Sequence, residues 1–276
     1  MILSFHPVFE ADTNMIVAGR DPGGTELDAI RAADAVILPQ GCRAALYKMA
    51  AENCPHVFPD YKARFKYPGK IGQADLFMKI NAPFPHTLTY RSLADLYRKN
   101  NGSAPLPFPF VFKFDWGGEG HTVFFIQTRQ DFLQTIELTE NCESIGRFGF
   151  LVQEYVPHRN RTLRVVVIHR KLISYWRVQP EARTFGTSLA SGARIDRRSD
   201  PNLQASAQKA VRQVCDQTGI NLAGFDLIFN PLDKSPLPIL LEVNYFFGRT
   251  GLGGSENFYS LLVPQIESWI AALELE

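Results

Sequence analysis

The chain has 276 residues, 45% of them hydrophobic, with 29 basic against 28 acidic side chains and a formal net charge of +1. A chain of this length buries roughly three quarters of its unfolded surface, enough for one large domain or two or three lobes. Its balanced, dispersed charge offers no electrostatic footprint for nucleic acid or a membrane surface. Cys42, Cys54, Cys142 and Cys215 have neither CxxC nor zinc spacing and are expected to be reduced, structural thiols. Residues 1–5 lack a basic n-region, His6-Pro7 interrupts the apolar stretch, and no run approaches the ~20 apolar residues that span a bilayer, so a cytoplasmic location is expected.

In chain order, residues 2–5 and 15–18 read as short strands, 26–33 as a helix, and 35–38 as a further apolar strand. The segment Asp21-Pro22-Gly23-Gly24-Thr25 between strand and helix is read as a turn, with an amide-lined anion site as the alternative. Residues 42–53 have helical spacing through Ala45, Leu46, Met49 and Ala50, and Cys54-Pro55 ends that helix. The first lobe is therefore a small α/β unit over residues 1–69. Its end is placed near Gly69 because 60–69 is rich in Lys, Arg, Tyr and Pro without apolar periodicity, as in a linker.

Residues 70–80 form a helix through Ile71, Ala74, Phe77 and Met78, and 92–100 a second one. Strands over 110–114 and 122–126 flank Asp115-Trp116-Gly117-Gly118-Glu119-Gly120-His121, a glycine-rich hairpin loop whose backbone can approach phosphates closely. It has neither Walker nor GxGxxG spacing, and an ordinary flexible hairpin is the alternative. Lys113, just before it, supplies a point charge suited to phosphate. Residues 130–138 read as a helix capped by Thr128 or Gln130, and 150–155 as a strand ending in Gln153-Glu154-Tyr155. The runs 163–168 and 172–178 form a hairpin that carries Arg164 and Arg177, either exposed charges or oxyanion clamps. Residues 180–195 read as a polar loop and 201–219 as a helix stopped by Gly219.

Two apolar runs, 222–230 and 239–244, flank a Pro-bounded spacer and predict a hairpin with a long loop. Alternation puts Glu242 and Asn244 on one face and Leu241 and Val243 on the other. A loop symmetric about Lys234 sets Asp226 opposite Glu242, where like charges repel unless a cation sits between them. Two carboxylates and an amide oxygen suit magnesium better than zinc. A solvated strand face is the alternative. After this hairpin, four glycines and Arg249 precede a helix that begins near Glu256 with Ser255 as its cap, an arrangement suited to a carboxylate or, alternatively, a plain turn.

These parts, in this order, resemble the ATP-grasp superfamily, particularly its carboxylate–amine ligases such as glutathione synthetase and the glutamate ligases that modify a ribosomal protein. The resemblance covers roughly residues 70–272 and rests on Lys70 with the run to Phe84-Pro85-His86-Thr87, Phe110-Val111-Phe112-Lys113 with its glycine lid, Leu151-Val152-Gln153-Glu154-Tyr155, Leu163-Arg164-Val165-Val166-Val167, and Gly224-Phe225-Asp226-Leu227 with Leu241-Glu242-Val243-Asn244. It implies an α/β ATP-grasp fold of α+β lobes over residues 70–276, hinged near 153–156, behind the N-terminal lobe.

By the same resemblance, Lys70, Lys113 and the lid glycines Gly117, Gly118 and Gly120 would hold ATP phosphates, and Glu154 and the Tyr155 backbone would hold adenine and ribose. Asp226, Glu242 and Asn244 would bind two magnesium ions, with manganese as the alternative. Arg177 would face the transferred phosphoryl group. Apart from the resemblance, the forked cation of Arg249 beside the glycine-rich turn is expected to hold the acceptor acid or the tail of the amine. Thr162 stands where the family commonly has an Asp that contacts ribose, and Ser188 where an Asn is usual. The implied activity is amide formation through an acyl phosphate, from small-molecule or peptide carboxylate and amine substrates, with release of ADP and phosphate. The alternatives are an ATP-grasp kinase or phosphotransferase, and a nucleotide-binding module without turnover. Oligomeric state is left open.

Overall fold

Short, wholly apolar runs separated by helices build a parallel sheet, because such strands are buried on both faces. In the computed structural model, which describes residues 1–118, 120–181 and 185–275, that sheet occupies the start of the chain. Glu119 of the expected lid, and Ala182, Arg183 and Thr184 of the expected polar loop, lie outside the described residues. The first sheet contains β1 (Ile2–Ser4), β2 (Thr13–Asn14), β3 (Ala35–Ile37) and β4 (His56–Phe58), in the order β2-β1-β3-β4, with α1 (Gly24–Ala32) and α2 (Ala44–Asn53) as crossovers. The expected strand at 15–18 is displaced to β2. Met15 still donates to the Ser4 carbonyl, but Ala18 then takes a left-handed φ of 51°, which ends any extended run.

The stretch 60–69 is not a loose linker. It contains α3 (Lys62–Lys66), with Tyr61 fully buried and packed edge-on to Phe65 and Tyr245. Next come α4 (Gly69–Lys79), β5 (Thr87–Tyr90), α5 (Leu93–Asn100), β6 (Phe110–Phe114), β7 (Val123–Ile126), α6 (Arg129–Ser144) and β8 (Phe150–Glu154). These strands form an antiparallel sheet in the order β5-β8-β6-β7, and Leu96, Phe110, Phe112, Phe132 and Phe150 share one buried cluster. Thr128 caps α6 reciprocally with Asp131, and the helix continues beyond the expected 138 to Ser144.

The third sheet is made of β9 (Arg161–Ile168), β10 (Lys171–Val178), β11 (Arg194–Asp196), β12 (Leu222–Ile228) and β13 (Ile239–Asn244), ordered β11-β10-β9-β12-β13 and antiparallel. β11 begins within the last residues of the expected polar loop, runs one residue past it, and is held there by pairing with β10. Helices α7 (Pro201–Thr218) and α8 (Ser255–Ala271) cover opposite faces of this sheet. Val165 and Val167 of β9 share a cluster with Ala207, Val211 and Val214 of α7, whereas Val166 and Ile168 join Phe258, Leu262 and Ile266 of α8. The first of these clusters also contains Leu3, Val36 and Leu46, so the N-terminal lobe and the third sheet share one core. Along β9 the even positions change from Val166 and Ile168 under α8 to Arg164 and Thr162, which α8 leaves facing an open cleft.

Ser255 is the first helical residue of α8 rather than its cap. Gly254 takes that position without a side-chain bond, and the Ser255 hydroxyl accepts from Arg249 instead. Among the described residues, no helix is long and apolar enough to cross a membrane.

Candidate nucleotide and metal site

The cleft lies between the second and third sheets and encloses about 760 Å³, within the range of small-ligand sites. Its floor begins with the β12–β13 hairpin, where Asp226 pairs with Glu242 and Gly224 with Asn244. The register then slips, because Leu227 pairs with Leu240. Leu241 is therefore the extra residue of a bulge, which breaks the simple alternation expected along β13, and it lines the cleft beside Glu242.

Asp226 is 2% exposed and is clasped by two arginines, one from the adjoining strand β9 and one from β10 beyond it. Arg164, directly opposite on β9, engages both carboxylate oxygens, with Nη2 to Oδ2 at 2.8 Å, and Arg177 Nη2 reaches Oδ2 at 2.7 Å. Burial alone pushes the Asp226 pKa up, but the charges of Arg164 and Arg177 outweigh it and hold the carboxyl below its usual range. Arg164 is pushed down by burial and, on balance, up by Asp226, so the pair stays ionised. Asn244 Nδ2 donates to Asp226 Oδ2 at 3.2 Å and to Glu242 Oε1 at 3.0 Å, a bridge between the carboxylates. Beside them the Thr162 and Thr187 hydroxyls are 2.5 Å apart, and Arg177 Nη2 donates to Thr162 at 3.3 Å.

The roof comes from the second sheet. Lys113 on β6 is buried, donates to Gln153 Oε1 at 2.6 Å, and is pushed down to about 8 by desolvation. Gln153 is itself oriented, since its Nε2 donates to the Thr87 hydroxyl, which donates to the Pro85 carbonyl. Lys70 in the first turn of α4 reaches the Gly117 carbonyl at 3.2 Å, and burial lowers its pKa. Asp115 ties lid to helix: its Oδ1 accepts from the Ile71 N–H at 2.8 Å. A Cβ at Gly69, where φ is +69°, would stand 2.3 Å from that oxygen, so only glycine fits this approach.

At the hinge, Glu154 is exposed and its N–H donates to the His86 carbonyl, while the Tyr155 ring packs against Phe125 at 4.6 Å. Val111, Val156, Ile228 and Leu241 give this end apolar walls suited to a flat base. His158 is 8% exposed, lines the cleft, and places Nδ1 3.0 Å from the Val156 carbonyl, which leaves Nε2 as the acceptor of the neutral ring. Burial lowers its pKa.

Lys70, Lys113, Gly117, Gly118, Gly120, Glu154, Tyr155, Thr162, Arg177, Asp226, Glu242 and Asn244 all line this one cleft. Arg249 does not. Its guanidinium turns to Tyr259 Oη at 2.8 Å, Ser255 Oγ at 3.3 Å and Gln40 Oε1 at 3.3 Å, and lies 4.6 Å from the Phe258 and Tyr259 ring centres. Sequence reasoning gave no role to Gln73, Asp115 or His158, which also line the cleft. The Asp21–Thr25 turn offers no free anion site, because the Glu26 carboxylate already takes the Gly23 N–H at 2.7 Å and pairs with Arg20.

The donor set fits a hard divalent cation that arrives with phosphate. It is all oxygen, from two carboxylates and one amide, as suits magnesium or manganese rather than zinc. Among the described residues no group of three His, Cys, Asp or Glu could hold a metal ion unaided. Glu242 is half-buried and has Asn244 as its hydrogen-bond donor, and rotation of the Asn244 amide would present its oxygen to an ion.

A family model described as a RimK-like ATP-grasp domain matches residues 71–257. No curated protein matches the chain. Solved structures with the same fold include the ADP complex of N5-carboxyaminoimidazole ribonucleotide synthetase (12% identity, TM-score 0.62), over 90% of this chain and 64% of that one. A RimK domain protein ATP-grasp from Sphaerobacter thermophilus is 13% identical with a TM-score of 0.59, over 96% and 98% of the two chains. D-alanine–D-alanine ligase from Bacillus anthracis is 12% identical with a TM-score of 0.61, over 96% and 88%. The chain thus spans about two thirds of the length of the synthetase, and at these identities the likeness establishes the ATP-grasp fold alone.

Proposed function

Because the chain belongs to the RimK-like ATP-grasp family, we propose that it is an ATP-dependent ligase that joins a carboxylate to an amine and releases ADP and phosphate. One observation carries the reading: Lys70, Lys113, Arg164 and Arg177 converge with the oxygen-only set of Asp226, Glu242 and Asn244 on a single cleft beneath a glycine-containing hairpin. Lys70 and Lys113 come from the roof, opposite the carboxylates of the floor, a pairing of cations and oxygen ligands that suits a polyphosphate bound with a metal ion. We assign residues 70–276 to the ATP-grasp domain and 1–69 to the lobe before it, which the start of the family match at residue 71 supports.

In this account Lys70 and Lys113 orient the phosphates, the apolar hinge end takes adenine, and His158 Nε2 and Thr162 offer acceptors toward the ribose. Asp226, Glu242 and Asn244 would hold two magnesium ions, or manganese, which when bound supply charge neutralisation at the phosphate oxygens. A carboxylate oxygen attacks the γ-phosphorus as the bond to ADP breaks, giving an acyl phosphate. The amine nitrogen then attacks the carbonyl carbon, loses its proton, and expels phosphate as the amide forms. Arg177 would stabilise the tetrahedral oxyanion, and the hairpin that carries Gly117, Gly118 and Gly120 would exclude water. No Ser-His-Asp or Cys-His nucleophile is required. Small-molecule or peptide acids and amines are the proposed substrates.

Phosphate release from ATP over a panel of carboxylate and amine pairs tests the reading. A ligase releases phosphate only with both partners. A phosphorylated acid that accumulates without amine indicates a phosphotransferase, and nucleotide binding with no turnover across the panel indicates a module without catalysis.

A further inference from the structure

Gln73 carries no charge and no nucleophile, yet its side chain grips the exposed edge of the metal strand. β13 ends the third sheet, so its outer backbone groups have no neighbouring strand. At Val243 both groups are taken by the Gln73 amide: Nε2 donates to the Val243 carbonyl at 2.9 Å, and Oε1 accepts from the Val243 N–H at 2.8 Å. This pair imitates one rung of a ladder. Val243 is flanked by Glu242 and Asn244, and Gln73 stands one helical turn beyond Lys70 on α4. The same first turn of α4 is bonded to the lid through Ile71 and Asp115.

Resting on the functional reading above, we infer that Gln73 is a positioning residue, which sets the height of Glu242 and Asn244 relative to Lys70 and joins lid, helix and metal strand into one unit. Without it, Glu242 and Asn244 remain but sit on a freer edge. The metal then loses preorganised ligands, whereas the adenine end, built by the hinge, does not change.

The test compares the full chain with Gln73→Met, which removes both bonds, and Gln73→Asn, which keeps the amide but is one methylene too short to reach. In both variants, hydrogen exchange at the Val243 amide should accelerate about tenfold or more, consistent with the loss of two modest hydrogen bonds. ATP affinity in the presence of a chelator should stay within about twofold, while apparent magnesium affinity at saturating ATP falls about tenfold, equivalent to ~1.4 kcal/mol. Unchanged Val243 exchange overturns the grip itself. Equal loss of metal-free and metal-dependent binding, or intact magnesium affinity, overturns the positioning role. If wild type shows no magnesium-dependent ATP binding, the ligase reading fails, and the exchange result still decides the grip.

Discussion

Asp226 and Glu242 face each other across the β12–β13 ladder, but among the described residues Asp226 is the one in direct ion pairs, with Arg164 and Arg177, while Lys70 and Lys113 feel the Glu242 charge from farther off. Glu242, half-buried, has the Asn244 amide as its donor. The like-charge conflict predicted for this pair is thus resolved on one side by buried ion pairs and left for a ligand on the other.

That asymmetry predicts how the floor fails. Arg164→Met leaves a buried carboxylate under-compensated and should cost about 3–5 kcal/mol in denaturant unfolding, whereas Arg164→Met with Asp226→Leu should cost clearly less than the sum of the single changes. The pH dependence has a definite sign. Because folding depresses the Asp226 pKa, its contribution is complete above the unfolded value of ~3.9 and is lost as pH falls below it toward the folded value. Asp226→Asn should flatten that acid limb. A limb unchanged in the variant would assign it to other carboxylates.

Glu242 should act through the ion rather than through folding. Magnesium with ATP at ~100 times its dissociation constant should stabilise wild type by roughly 2.7 kcal/mol, and Glu242→Gln should lose most of that while its unliganded stability changes little. Equal stabilisation of the two proteins in thermal melts would remove Glu242 from the metal site.

The hairpin between β6 and β7 is expected to order on nucleotide binding, since Lys70 now holds its Trp116 and Gly117 carbonyls and would turn to phosphate. Hydrogen exchange in peptides over residues 115–121 should slow markedly with magnesium-ATP. Unchanged exchange there would make it an ordinary hairpin.

Arg249 bridges Gln40 of the first lobe to Ser255 and Tyr259 of α8, just beyond the metal strand. Lysine lacks the guanidinium fork that spans these partners, so Arg249→Lys should raise the Michaelis constant for acid or amine about tenfold and leave ATP affinity within about twofold. Loss of ATP binding with an unchanged substrate constant would place Arg249 with the phosphates instead.

The β12–β13 pairing was legible in sequence because alternation and a loop centred on Lys234 fix which residues meet; the bulge at Leu241 was not, since an extra residue leaves no compositional mark. Helix α3 escaped notice because its five residues offer only Ala63 and Phe65 as apolar positions, and the rings that fix it, Tyr47 and Tyr245 against Phe65 and the preceding Tyr61, come from other parts of the chain. β11 is short and polar and exists by pairing with β10. The same limit hid the site's internal bonds: Arg164 meets Asp226 only because β9 lies beside β12, and Gln73 grips backbone 170 residues away.

The most direct test of the ligase account follows one oxygen atom. With the acid substrate identified from the panel and labelled with oxygen-18 in its carboxylate, an acyl phosphate requires that one labelled oxygen leave with the phosphoryl group as the amide forms. The account predicts one oxygen-18 atom in the released phosphate, dependent on the amine; unlabelled phosphate formed alongside amide would contradict it.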